Sequence, residues 1–243
     1  MNTVRTVADT KRDFYQAFPK PVNSVYRRIV DELLVELHLL RVNQLFVYDQ
    51  VFALGVVSAF DRFMAGYQPE ADVAQIFHAL CHGLQFSADQ LRHDAHVLNE
   101  LVQNQPEAVK VLICNLEGDA EPLAGLLHSI AQNHKFKYSR LFGIGLYTLL
   151  EKADSAAIAD NDQRQGLLQQ VGEKLNLGQD RLAKDLDLYR SNLEKVSQAQ
   201  QMMADLVEAE RKKREKREAG KIEVSDAPEP VTVDSSNESN GNS

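Results

Sequence analysis

Five residues able to bind a metal or act as nucleophile and base stand close together: His78, Cys81 and His82 in the run HALCHG, and His93 and His96 in LRHDAH. Imidazole and thiolate groups at i, i+3 and i+4 share a helix face, and an antiparallel neighbour could complete a tetrahedral zinc site. The register matches no standard zinc spacing, however, and HExxH is absent. A polar helix face also accommodates histidines with no metal at all. Cys81 beside His78 and His82 has the makings of a nucleophile with its base, yet a buried structural thiol gives the same pattern. A metal- or thiol-dependent enzyme on these five residues is therefore the alternative to a protein that works by contact alone.

Other chemistries lack their residues. A di-iron carboxylate bundle needs Glu-x-x-His, because residues three apart share a helix face, and no histidine here has a glutamate three positions before it. Glu36 and His38 point in divergent directions. Gly143 and Gly145 give G-x-G without a third glycine, inside an apolar helical run, so close helix packing explains them better than a phosphate loop. No GxSxG elbow is present. The expectation is no catalytic residue, no cofactor and no metal.

The strongest charged feature lies near the C-terminus. Arg211, Lys212, Lys213, Arg214, Lys216, Arg217 and Lys221 stand against only Glu215 and Glu218. Such a stretch can touch anionic lipid, at about 1 kcal/mol per cation, or an acidic protein, although the glutamates weaken both and a solvated helix end reads the same way. Arg211, Lys212, Lys213, Arg214, Lys216 and Arg217 are the candidate partner or membrane contact. No aromatic side chain is interleaved to stack bases. A soluble regulator binding nucleic acid through this basic end is the weakest alternative, and no nucleic acid partner is expected.

The elements that position these residues are helices. Apolar residues recur at Val22, Val25, Tyr26, Ile29, Val30, Leu33, Leu34, Leu37 and Leu40, predicting an amphipathic helix from Asn23 to Arg41 capped by Asn23 or Ser24. A more apolar, central helix follows from Gln50 to Met64 and stops at Gly66. Further helices are expected over Glu70–Leu84, Ser87–Val102, Pro106–Leu116, Glu121–Gln132, Ser139–Glu151 and Asp160–Leu175. Alternating β-branched runs are not found, so strand content should be near zero. From Leu182 the apolar positions run through Leu186, Tyr189, Leu193, Val196, Gln200, Met203 and Val207 in steps of four and three, a coiled-coil-like seam. A helix from Gly178 to Glu218 would reach roughly 60 Å, so its far end is expected to project.

The fold class is thus all-α: a helical bundle over residues 1–175, a long C-terminal helix over 176–219 with a charged far end, and a polar tail over 220–243. That tail, rich in Ser, Asn and acid, cannot bury enough apolar surface to offset chain entropy and is expected to be disordered.

With 243 residues, 44% of them hydrophobic and 26% charged, the chain can build a sizeable core. Its net charge of -8 makes attraction to nucleic acid or anionic lipid a local matter only. Two cysteines with no CxxC pairing suit a reducing compartment. The N-terminus has no signal-peptide or transit-peptide pattern, and the apolar runs Val51–Phe60 and Leu141–Leu150 are too short to span a bilayer, which takes about 20 residues.

Three ordered blocks carry a family likeness. They are VRTVADTKRDFYQAFPKPVNSVYRRIVDELLVELHLL (Val4 to Leu40), VFALGVVSAFDRFMAGYQP (Val51 to Pro69) and FKYSRLFGIGLYTLLE (Phe136 to Glu151). Together they resemble the thylakoid formation protein family, also described as a photosystem II biogenesis and repair factor. The likeness runs from about residue 4 to 215. It implies an all-helical cyanobacterial member, attached peripherally to the cytoplasmic face of the thylakoid membrane. It further implies association with the thylakoid FtsH protease complex and with photosystem II assembly or repair intermediates. The family has no mapped catalytic residues, so none carries over.

Overall fold

A computed structural model describes residues 5–178 and 180–225, with side chains through residue 215. The chain is all-helical, and no strand occurs among the described residues. In chain order the helices are α1 (Val7–Ala17), α2 (Ser24–Arg41), α3 (Gln50–Phe63), α4 (Ala71–Leu84), α5 (Ala88–Asn104), α6 (Pro106–Asn115), α7 (Leu123–Gln132), α8 (Arg140–Ala153), α9 (Ser155–Ala159), α10 (Asn161–Lys174) and α11 (Arg181–Ser225). Contacts divide the chain into two compact units, the first ending at Ala199 and the second beginning at Gln200.

Four helices begin one residue later than the sequence suggests, for one reason. Asn23, Ser87, Ser139 and Asp160 are the caps themselves, each accepting a backbone amide of the first turn through its side-chain oxygen. Pro106 opens α6, where its missing N–H costs nothing.

Two elements go unforeseen in the apolar pattern. Helix α1 buries only Thr10 and Phe14, too few positions to make a visible stripe. Its capping box is nevertheless legible, because Thr6 and Asp9 bond each other's backbone amides. The five-residue α9 is capped by Asp154 and buries Ala157 and Ile158.

At the centre of the first unit α3 and α8 cross, buried all round as their apolar composition requires. Their backbones touch. A Cβ added to Gly55 would overlap the Leu141 carbonyl oxygen, and one added to Gly145 would overlap that of Val51. Close helix packing is thus the role of Gly145, and Gly143 makes room for the Tyr138 hydroxyl. Helix α5 packs on α3 and also touches α8, α6 packs on α8, and α1 lies on α4. Phe60 packs against Phe77 with ring centroids 4.9 Å apart and ring planes tilted by 59°, joining α3 to α4. Each such buried ring stabilises the core by about 2–3 kcal/mol.

Polar clamps fix the periphery. Arg5 donates to the Gly83 carbonyl at 2.6 Å, and the Thr10 hydroxyl lies 2.9 Å from His38 Nδ1 inside the core. Burial, together with the Arg5 charge, lowers the pKa of His38. Arg62 of α3 pairs with Glu151 of α8, and Arg140 of α8 with Glu36 of α2. After α2 the chain turns at Asn43, whose carbonyl accepts the Phe46 amide, and Phe46 and Tyr48 then pack onto Phe52 and Phe86 while Leu45 and Val47 remain exposed.

Helix α11 starts at Arg181, after Gly178 with its positive φ of 84°. Leu182, Leu186 and Tyr189 are buried in the first unit, and Leu193 and Val196 pack against it. The helix continues to Ser225, past Gly220 where the sequence turns polar. The remainder of the expected tail, 226–243, lies outside the described residues.

Candidate partner-contact surface

The second unit carries the candidate contact on one continuous stretch of helix. Met202, Leu206 and Val207 are 67%, 64% and 66% exposed, and Met203 joins them on the same face. At helical spacing Asp205 and Glu208 fall on the opposite face. The later members of the seam are therefore open apolar surface. Beyond this stripe come Arg211, Lys212, Lys213 and Arg214, all exposed.

Two of these cations make ion pairs along the helix, Lys212 with Glu208 at 2.7 Å and Arg211 with Glu215 at 3.4 Å. Solvent-exposed pairs of this kind stabilise by about 0.2–1 kcal/mol, so exchange for an external anion costs little. Arg214 also has a partner within the chain. Lys216 and Arg217 lie on α11, and their side chains are outside the described residues. The surface offers apolar area first and positive charge next to it.

The histidine and cysteine cluster does not assemble. His78, His82, His93 and His96 are exposed, whereas Cys81 on the same helix turns inward and is 2% exposed. Burial pushes the Cys81 thiol up to about 12, which suppresses the thiolate that nucleophilic chemistry requires. His96 faces Glu100 at 3.4 Å. Among the described residues no group of three or more His, Cys, Asp or Glu is placed to hold a metal ion. The second cysteine, Cys114, is likewise buried, and burial raises its pKa. Among the described residues no helix is long and apolar enough to cross a membrane.

The helical order and the blocks around Gly55 and Gly145 can be set beside known proteins. The family model for thylakoid formation protein matches residues 6–218. The chain belongs to the thylakoid formation protein family. Protein Thf1 of Cyanothece sp. (strain PCC 7425 / ATCC 29141) is 50% identical over 223 residues, covering 90% of this chain and 94% of the relative. Protein Thf1 of Synechocystis sp. (strain ATCC 27184 / PCC 6803 / Kazusa) is 47% identical over 98% of this chain and the whole of its own. A solved structure of Psb29 superposes with a TM-score of 0.72 at 42% identity, covering 87% of this chain and 99% of that one.

Proposed function

We propose that this family member is a non-catalytic factor in photosystem II biogenesis and repair, which binds or stabilises a thylakoid FtsH protease complex. It works peripherally at the cytoplasmic face of the thylakoid membrane and meets assembly or repair intermediates there. Family membership supports the thylakoid setting. The observation that carries a contact role is the apolar stripe Met202, Met203, Leu206 and Val207, left open beside a run of cations. Exposed apolar patches on helices mark surfaces that another molecule covers.

Deletion of residues 211–243 tests the reading. The truncated chain, still containing the bundle, should recover less FtsH complex and less thylakoid membrane in a pull-down from cyanobacterial lysate. Unchanged recovery would take the contact away from the cations and leave it to the Met202–Val207 stripe or to the bundle.

A further inference from the structure

The first unit contains a long groove that the reading above leaves unused. It runs beside α2 and opens into two connected basins, one of about 1050 Å³ and one of about 680 Å³. They share Arg28, Glu32, Glu36 and Arg140, so the Glu36–Arg140 ion pair forms the saddle between them. The floor of the smaller basin is aliphatic, built from Ile29, Leu33, Leu141, Ile144 and Val196. Leu188 stands at its rim, 47% exposed, and Leu39 in the other basin is 59% exposed.

Charge on the walls is unbalanced. Three carboxylates are already engaged, Asp31 with Lys11, Glu32 with Arg28 and Glu36 with Arg140. Arg27, Lys137 and Lys195 have no ion pair among the described residues, and Arg181 sits 4.8 Å over the Tyr138 ring. Only Asp185 among the lining carboxylates is left to face them. A chain of net charge -8 thus has a positive groove. Two tyrosines on its walls, Tyr138 and Tyr189, are 4% and 2% exposed. Burial raises the pKa of both, so both remain donors.

We propose that this groove is the docking site for an acidic amphipathic helix of a partner protein. Its apolar edge lies on the Ile29, Leu33 and Ile144 floor, and its carboxylates face Arg27, Lys137 and Lys195. The groove follows α2, whose eighteen residues span about 27 Å. A partner helix of similar length fits, anchored at i, i+3, i+4 and i+7. This site is separate from the far end of α11, so either contact can fail while the other stands.

The test uses the full chain. Benzoylphenylalanine placed at Leu188 is photo-crosslinked in cyanobacterial lysate and the attached peptide is sequenced. The expected product is a peptide with excess Asp and Glu and apolar residues at helical spacing. Its yield should fall about tenfold in the Arg27→Glu, Lys195→Glu double variant, with an unchanged melting curve. If that variant melts lower, Arg27→Gln with Lys195→Gln takes its place and should still lower the yield several-fold. As a purified counterpart, a labelled helix of Leu and Glu, about 18 residues long, should bind at least tenfold more tightly than its Leu and Lys analogue. A basic or non-helical crosslinked peptide, a crosslink to a second copy, a yield indifferent to charge reversal, or equal affinity for the two synthetic helices would overturn the proposal. So would anionic vesicle binding that is lost on charge reversal while neither helix binds. Recovery of the FtsH complex is scored separately, through the deletion of residues 211–243.

Discussion

Asp49 caps α3 by accepting the Phe52 amide at 2.7 Å, although its carboxyl is half-buried at the mouth of an aromatic cluster. Burial raises its pKa from 3.8 to about 6, against the opposing pull of the Phe52 and Val51 amides. Between those values the folded chain holds a proton that the unfolded chain has released. This contribution to stability is therefore present below about pH 4 and lost as pH rises through 6. Asp49→Asn keeps a capping oxygen and removes the titration. It should match the parent near pH 4 and melt higher at pH 7, by roughly 1–3 kcal/mol. Paired thermal melts across that range check it, and a constant difference would contradict the assignment.

Gly55→Ala should destabilise the bundle by about 3 kcal/mol or more, because the new methyl meets the Leu141 carbonyl, and backbone cannot change rotamer to yield. Gly166→Ala in α10 is the control. Its Cβ meets nothing within 4 Å, so it should stabilise by about 0.5–1 kcal/mol through helix propensity. Denaturant titrations of the two variants should move in opposite directions.

Cys81 and Cys114 should be almost inert to a disulfide reagent at pH 8 in the folded chain, reacting at least about 100-fold faster after denaturation. The same preparation should contain less than about a tenth of an equivalent of bound transition metal. Rapid native reactivity or a stoichiometric ion would revive the enzyme reading on His78, Cys81, His82, His93 and His96.

Met203→Glu combined with Val207→Glu alters only exposed surface of the second unit. Melting of the bundle should change by less than about 0.5 kcal/mol, while recovery of the FtsH complex should drop several-fold. Intact recovery with intact melting would show that the stripe is not the contact.

The helices with one wide apolar face or none exposed were readable from residue order alone. Periodicity located α2, α3 and α8 to within two residues, since local spacing decides which side of a helix is buried. Helix α1 escaped because its burial depends on α4 and α2, which supply Gly83 and His38 from far along the chain. The candidate contact was half legible. Basic residues from Arg211 announce themselves, whereas the open face of Met203 and Val207 looked the same as the buried Leu182 and Leu186 in the seam, because spacing does not say where the covering helices end. The groove was beyond reach, since Arg27, Tyr138 and Lys195 are brought together only by folding.

Where Gly55 and Gly145 bring the backbones of α3 and α8 together there is no side chain to lose. Most protein interiors decay when mutation removes atoms and leaves holes, but here injury comes from atoms gained. The heart of this bundle is indifferent to truncation at Gly55 and Gly145 and intolerant of growth, so its inheritance narrows to the smallest residue at those two places.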